Sequence, residues 1–598
     1  MKLSHLYSNN SDVFGPITFQ PGVNVVLGEI RLPENRNLSV HNLGKTTLAH
    51  VIDFCLGMGR SNDFFLFKHE ERFKDFIFFL EVETLAGSYV TIRRAVESAS
   101  KLSIIKHNER HENFSESGSG IWDHEYVAFE RGKQIIDGLL GLTAIKPWTY
   151  REPLGYSLRT QSDFTDVFRL SKSRGKDRDW KPYVAHMLGF NADLVTKGYE
   201  LLEQIAELER VIATLKLGLG ATDLDLDQVR GLIDLKKKEV KTAESAAAQF
   251  DFALEDAAIN TKLVDDLDQT IAALNGQRYT LNRTRKRIID SLQAEKIQFR
   301  PEIARKLFEE AGVVFPDQVV KEFDDLVRFN REISGERVEY LKEELESINS
   351  QFADVAKALE TLNSQRQSEL RFLNDTESVS KFRELNQRLV IMKNELSSLE
   401  RQRDALLSIG RRETELRTVI REREDQIDAL RAEIDSLGEQ EDGRYMRIRE
   451  TLAKLCDQIL GHKALVSTRL NAKDNIEFLA EYLDQADLPT SEDEGKSFKQ
   501  VLCAAFDLAV VKVLMNDGYL RFVFHDGLFE GLDPRKKLNL IDVLRQNADL
   551  GIQQVLTVID SDLPQTETGE KFAFNDDEVI LRLHDEGPEG RLFRMDSW

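Results

Sequence analysis

Residues 28–57 read GEIRLPENRNLSVHNLGKTTLAHVIDFCLG. Whether Gly44-Lys45-Thr46 within it closes a phosphate-binding loop decides how the rest of the chain is read. Such a loop follows a buried strand and opens a helix. Its backbone N–H groups and the helix N-terminus hold phosphate, its lysine reaches the β- and γ-phosphates, and its hydroxyl binds Mg²⁺. A bare Gly-Lys-Thr arises by chance; its flanks give this one meaning. GVNVVLG (22–28) has the apolar run of a buried strand, and TTLAHVIDFCLG (46–57) has the spacing of an amphipathic helix. One place departs. The glycine that opens a standard loop, six places before the lysine, is Ser39, so the connection from Gly28 to Asn42 is longer than usual. Gly44, Lys45 and Thr46 are expected to do the chemistry, with Thr47 following into the helix and Asn42 and Leu43 completing the loop. The cofactor expected is ATP with Mg²⁺.

The bulk composition bounds the setting. A chain of 598 residues exceeds what one hydrophobic core supports. Charged residues make up 31% and aromatics 8%, the balance of a protein with a long solvated helical part. With 81 basic and 103 acidic residues the formal charge is −22, so a nucleic-acid partner would need local basic patches. Cys55, Cys456 and Cys503 lie far apart and form no Cys-x-x-Cys pair, which argues against a disulfide framework and a cysteine-based zinc site. His5, His41, His186 and His525 have no ligand-like spacing. The first residues lack the apolar core of a signal peptide, and no apolar run approaches the roughly 20 residues that cross a membrane. A cytoplasmic protein with no membrane partner is expected.

Proline placement divides the chain. None interrupts 183–300 or 317–488, which permits two long helical regions. Within them Leu201, Ile205, Leu208, Ile212 and Leu215 follow a 4-3 spacing, as do Val264, Leu267, Ile271 and Leu274, continuing at heptad steps through Leu281 and Ile288. The second region repeats it at Leu341, Leu345, Ile348, Phe352, Val355, Leu359 and Leu362, at Leu385, Leu389, Met392, Leu396 and Leu399, and at Ile427, Leu430, Ile434 and Leu437. Apolar seams with Glu, Lys, Arg, Gln and Ser between them mark a coiled coil. The break at 298–330 carries two prolines and clustered phenylalanines and reads as a tip where the first helix turns and the second returns antiparallel. Each arm of about 100 residues reaches roughly 150 Å if unbroken, although LGLGATDLDLD near 217–227 is expected to interrupt the first. The expected division is 1–190, a first arm 191–297, a tip 298–335, a second arm 336–455 and 456–598. The ends alternate strand-like runs (VNVVL, FIFFLEVE, YVTIRRAV; LRFVF, QQVLTVI) with helices such as KQVLCAAFDLAVVKVLM, and read as two halves of one α/β unit brought together by the hairpin.

The C-terminal half carries LRFVFHDGLFEGLDPRKKLNLIDVLRQ (520–546), in which a strand-like run meets Asp526. An acid at the end of a buried strand beside a phosphate loop can hold the water shell of Mg²⁺; a helix-capping aspartate is the plainer reading of such a strand–turn–helix.

This plan resembles the SMC-like ABC ATPases, which include SbcC and RecN. The DFCLG and HDGLFEGLD stretches look closest to a bacterial branch of YydD-like proteins. The resemblance implies an α/β ABC-type ATPase head formed by the N- and C-terminal halves, joined by a long antiparallel coiled-coil hairpin. It implies that Gln161, in LRTQSDF (158–164), reaches the metal and the attacking water. It places Ser491, Gly495, Lys496 and Ser497 in a signature region facing a partner's γ-phosphate, and Asp533 in a loop crossing the interface of a homodimer of heads. Thr46, Gln161 and Asp526 would surround Mg²⁺. Three elements depart from the family pattern. Gly527 stands where a catalytic glutamate follows the aspartate, leaving Glu530 or His525 to substitute. Glu492, Asp493 and Glu494 make the signature region acidic. Asp560 and Ser561 stand where a switch histidine is expected.

Basic residues at 169–181, among them Lys172, Arg174, Lys176 and Arg178, and at 278–287, could contact DNA phosphates or simply form solvated faces. The sequence carries no nuclease or protease constellation, so an effector, such as a nuclease, would be a separate partner. By resemblance the expected function is an ATPase that acts on or senses DNA, in bacterial anti-phage defence. The alternatives are a DNA-repair or chromosome-maintenance ATPase, and a structural scaffold or nucleotide switch with little hydrolysis.

Overall fold

The computed structural model describes the chain except residues 33–42, 119, 172–174, 220–224, 249–256, 299–316, 371–376, 485, 487, 491–494, 566–569 and 597–598. It divides into two compact units, Met1–Glu207 with Arg417–Trp598, and Leu208–Leu416. Among the described residues no helix is long and apolar enough to cross a membrane.

The first unit is built on two larger sheets and a hairpin. In chain order its strands are β1 (Lys2–Ser8), β2 (Ile17–Thr18), β3 (Val23–Glu29), β4 (Ile77–Glu83), β5 (Tyr89–Ala95), β6 (Lys101–His107), β7 (His124–Ala128), β8 (Leu158–Arg159), β9 (Ala464–Leu470), β10 (Ile476–Tyr482), β11 (Phe522–Asp526), β12 (Gln553–Ile559) and β13 (Val579–His584). An antiparallel sheet runs β2-β1-β4-β5-β6-β7, and a parallel sheet runs β13-β3-β12-β11-β8. Both ends of the chain supply strands to the parallel sheet. VNVVL and FVFHD are continuous runs rather than alternating ones because that sheet is covered on both faces. The helix Lys45–Cys55 packs against β4, β5 and β11, and its Leu48, Ala49, Val51, Ile52, Phe54 and Cys55 are all buried. The helix Lys496–Leu514 is apolar on nearly every face from Val501 to Val511, as a helix inside a core must be. It packs on the helix Arg444–Leu460, whose Ile448, Leu452, Leu455 and Cys456 are buried. That helix was expected to end the second arm; its seam faces the core of this unit instead.

The second unit is helical. The helix Leu226–Ala248 buries Val229, Ile233 and Val240, and ion pairs join it to the helix Glu377–Glu439: Lys236 to Glu395 (2.9 Å), Lys237 to Glu400 (3.2 Å) and Glu244 to Lys393 (2.9 Å). The helix Ala257–Gln298 pairs with Asp317–Leu370 through Ile271, Val355 and Leu359, flanked by Leu274, Leu281 and Leu362 and by an Asp268–Arg366 ion pair of 2.9 Å. Both pairings are antiparallel: Lys216 meets Glu413 while Glu244 meets Lys393, and Asp268 meets Arg366 while Ile271 meets Val355 and Leu359. A groove of about 520 Å³ then sets Asn275, Tyr279 and Asn282 beside Ile391, Asn394, Ser398 and Arg401. A second groove sets Asp265 and Ala272 beside Asn386 and Val390, so from one groove to the next the numbers rise together: Ala257–Gln298 runs parallel to Glu377–Glu439 and doubles back along the first pair. Arg287 accordingly stands 3.3 Å from where a Cβ on Gly218 would lie. The expected hairpin of one outgoing and one returning arm is therefore corrected. The 4-3 spacing gives way to the sparser Val229, Ile233 and Val240 between Leu215 and Val264, and the sequence carries no such spacing between Leu362 and Leu385. The expected tip 298–335 falls partly outside the described residues; from Asp317 onward it is helix.

Candidate nucleotide site

The site lies at the carboxyl edge of the parallel sheet, where open α/β sheets take their ligands. The register brings Gly28 opposite Ile559, and Asp526 opposite Thr557. From β3 the chain reaches Gly44, the N-cap of the helix Lys45–Cys55, at φ 96°, a left-handed backbone that favours glycine. A Cβ there would lie 2.7 Å from Leu592 Cβ, and the Leu592 amide donates to the Leu43 carbonyl at 3.0 Å. The C-terminal segment thus pins the loop, a contact that no local pattern announces. Lys45 is buried and folds across Gly28, where a Cβ would lie 3.4 Å from its Cδ. Burial pushes the Lys45 pKa below the usual ammonium value, against the pull of Asp526, Glu530 and Asp562. Thr47 follows in the first helical turn. Asn42 lies outside the described residues.

Thr46 Oγ1 donates to Asp526 Oδ2 at 2.5 Å, joining residues 480 positions apart. The other oxygen of Asp526 accepts from Thr557 Oγ1 at 2.5 Å, and that hydroxyl accepts from the Gly527 amide at 3.0 Å. Asp526 is fully buried, and a threonine hydroxyl bonds each of its oxygens. Gln161 opens a 3-10 turn, Gln161–Thr165, and donates from Nε2 to Glu530 Oε1 at 2.5 Å. Lys496 Nζ lies 3.2 Å from Glu530 Oε2, and the Ser497 hydroxyl donates to the Glu530 carbonyl at 3.4 Å. Gly527 has φ 75°, and a Cβ on it would come within 2.6 Å of Gln161 Nε2. A glutamate at that position would strain the backbone and collide; the carboxylate that meets Gln161 is that of Glu530, three residues on.

Arg159, the residue that orients this turn, escaped the sequence reading. It is fully buried and forks onto Asp507 at 2.7 and 2.8 Å, while donating to the carbonyls of Asp163, Asp166 and Val167. Burial alone would depress its pKa, but the Asp507 carboxylate outweighs that and holds it above the usual guanidinium value. Its signal, an arginine inside an apolar strand end, was present in LRTQSDF. His525, a candidate substitute base, is instead buried with its Nε2 3.2 Å from Asp507 Oδ2. Alternation along β11 sends it to the face opposite Asp526.

The remaining predicted residues scatter. Asp533 caps the helix Pro534–Asp549 by accepting from the Arg535 amide at 2.9 Å. Gly495 is the N-cap of Lys496–Leu514; Ser491 and the three acids after it lie outside the described residues. Asp560 pairs with Lys571 at 3.2 Å. Asp562, two residues on, is the acid near Lys45; burial raises its pKa, as does Glu530, while Lys537 and Lys45 lower it. Of the basic stretch at 169–181, Lys172 and Arg174 lie outside the described residues. Lys176 precedes the helix Asp177–Leu188. Arg178 is paired with Glu203 and Asp179, so its charge is compensated within the chain. Lys181 is buried on the Ile476 carbonyl at 2.8 Å.

A family model described as "Uncharacterised protein conserved in bacteria (DUF2326)" matches residues 455–597. No curated protein matches the chain. Among solved structures, the Smc head domain with a coiled coil and joint from Pyrococcus yayanosii is 13% identical, with 93% of this chain and 92% of that chain covered and a TM-score of 0.35. The Smc head domain with an extended coiled coil, bound to the C-terminal domain of ScpA, from Pyrococcus furiosus is 10% identical, with 94% and 90% covered and a TM-score of 0.29. The recombination mediator protein RecF is 9% identical, with 96% of each chain covered and a TM-score of 0.29.

Proposed function

We propose that the chain is an SMC-like ATPase: a head split between the two ends of the sequence, joined by an antiparallel coiled-coil arm, that binds Mg²⁺-ATP and acts on or senses DNA. The hydrogen bond between Thr46 and Asp526 carries this reading. It unites the hydroxyl of the phosphate-loop motif with the strand-end acid from the far half of the chain, at the edge where such sheets hold ligands. The residues present suit the cofactor. Thr46, Asp526 and Gln161 offer oxygen donors, which Mg²⁺ prefers, and the glycine backbone at position 28 leaves room for a folded lysine. Bound Mg²⁺ would neutralise phosphate charge. The buried setting makes Lys45 a stronger partner for phosphate than an exposed ammonium. Gln161 is placed to orient a water, and Glu530 to accept its proton.

Two heads would face each other through Gly495, Lys496, Ser497 and Asp533, with Ser491 nearby in sequence, and Lys172, Arg174 and Lys176 would meet DNA phosphates. In a bacterial cell we propose an anti-phage role with a separate effector, a nuclease being the expected class; a nuclease co-purifying with the chain, and lost phage resistance on its deletion, would support it. A nucleotide switch that binds ATP without turning it over is the second reading, favoured by Gly527 in the glutamate position.

The deciding assay is ATP binding and turnover, with and without DNA, for wild type and Lys45→Ala. The expected result is turnover that needs Mg²⁺ and falls about a hundredfold or more in Lys45→Ala. Binding without turnover under any condition selects the switch. A wild type that binds no nucleotide ends both readings.

A further inference from the structure

The connection from β3 to the Lys45 helix is long, with residues 29–43 between Gly28 and Gly44. A longer connection leaves its two ends less constrained by each other. The segment that follows β13 fastens both ends. His584, the last residue of β13, pairs with Glu29, the last of β3, so the two chains leave the sheet side by side. Asp585 Oδ1 then accepts from the amides of Arg31 at 2.8 Å and Leu32 at 3.2 Å. The exposed Arg31–Glu586 ion pair, at 3.0 Å, adds little. The segment turns through Pro588–Gly590, where a Cβ on Gly590 would run into the His584 carbonyl oxygen, so any side chain would force the turn open. It returns at the far end of the loop. There the Leu592 amide donates to the Leu43 carbonyl at 3.0 Å, and the Leu592 side chain fills the space beside Gly44. Phe593, 1% exposed, anchors the segment among the rings of Phe14, Phe73 and Phe76, at 5.0, 5.1 and 5.6 Å between centroids.

We infer that segment 585–593 is a brace for the phosphate loop, fastening both ends of the connection from β3 and thereby setting how tightly the loop holds a nucleotide. The inference rests on the nucleotide site proposed above and adds the element that controls its affinity. Backbone N–H groups at a helix N-terminus grip phosphate best when they already point together, and ordering them during binding subtracts from affinity. Asp585 and Leu592 are positioning residues. Asp585 acts through the amides of Arg31 and Leu32, and Leu592 through the Leu43 carbonyl and the backbone of Gly44.

The test measures Mg²⁺-ATP affinity by titration calorimetry, and hydrogen exchange over residues 43–47, for wild type, Lys45→Ala, Asp585→Ala, Asp585→Asn, Leu592→Ala and Leu592→Met. ATP binding that Lys45→Ala abolishes establishes the site. A wild type that binds no ATP, or binds it no better than Lys45→Ala, overturns site and brace together. Given that binding, Leu592→Ala weakens it about tenfold, because truncating a buried leucine leaves a gap behind Gly44. Asp585→Ala weakens it about fivefold, the range of one or two lost hydrogen bonds. Asp585 lies outside the core, so this variant decides the matter if Leu592→Ala fails to fold. In both, exchange over 43–47 quickens while that of β12 stays as in wild type. Asp585→Asn keeps an accepting oxygen and Leu592→Met keeps the volume, so each binds within about twofold of wild type. Wild-type affinity in either folded alanine variant overturns the brace and leaves the site standing, as does weakened binding with exchange over 43–47 unchanged.

Discussion

The two units bury charge in opposite ways. In the first, ionic and polar groups sit inside the core: Arg159 with Asp507, Asp526 with Thr46 and Thr557, Lys45 folded against Gly28. In the second, apolar seams are narrow, with Ile271, Val355 and Leu359 making one small cluster, and ion pairs such as Lys393–Glu244 ride on the exposed flanks. The first arrangement is costly to disturb because a lone buried charge has no water to return to. The second is cheap to disturb, since exposed pairs contribute little and each stretch of seam depends on a few side chains.

The sharpest way to break that comparison is Arg159→Met. It strands Asp507 in the core, removes three carbonyl contacts from the turn bearing Gln161, and should cost about 3–5 kcal/mol, read from denaturant unfolding. ATP turnover should fall with it. Adding Asp507→Leu should restore most of the stability but not the turnover, because His525 and the turn have both lost their partner. If Arg159→Met unfolds like wild type, the buried pair is not what steadies the first unit. In the arm, Leu359→Ala should cost about 2 kcal/mol, at the low end for a buried leucine because the seam is only two helices wide. The loss should appear in the unfolding of residues 208–416, followed by hydrogen exchange, with Val25 and Leu556 in the parallel sheet unaffected. Equal loss of protection in both places would erase the distinction between the units.

These differences track what could be read from sequence. VNVVL, FIFFLEVE, YVTIRRAV, LRFVF and QQVLTVI became β3, β4, β5, β11 and β12 because burial on a sheet writes itself into consecutive residues. Lys45, Thr46 and Asp526 were legible for a related reason: each sits where a recognisable strand meets a helix or turn. Asp507, Thr557 and Leu592 were not, and Arg159 showed only as an arginine at an apolar strand end, since each takes its role from a partner 31 to 549 residues away, and periodicity carries no information about such partners. His525 shows the reverse error. Next to Asp526 in sequence it looked available, but adjacent residues of a strand face opposite ways. In the arms the seam positions were legible, and the doubling back was not. An absence of proline permits a long helix without requiring one; the lapses in heptad spacing were the better signal.

The smallest expected effect concerns Asp562. Burial, the largest cause, and Glu530 raise its pKa above the ordinary carboxylate value of 3.8, while Lys537 and Lys45 act the other way. A group whose folded-state pKa exceeds its unfolded value favours folding when protonated. That contribution is fully present below the unfolded value and is lost as pH rises through the folded one. At neutral pH an ionised Asp562 therefore opposes folding, and Asp562→Asn, of the same size and uncharged, should melt slightly higher than wild type. The gain should shrink as pH falls and vanish below about pH 4, where the wild-type carboxyl is protonated in both states. Part of it is offset at neutral pH, because Lys45 loses one of the three carboxylates that sustain its charge against burial. Thermal melts of both proteins between pH 3 and 8 measure the difference. A lower melting point for Asp562→Asn at pH 7 would mean that attraction to Lys45 and Lys537 outweighs burial, and that the nucleotide site is steadied by its acids, as Arg159 is by Asp507, rather than loaded by them.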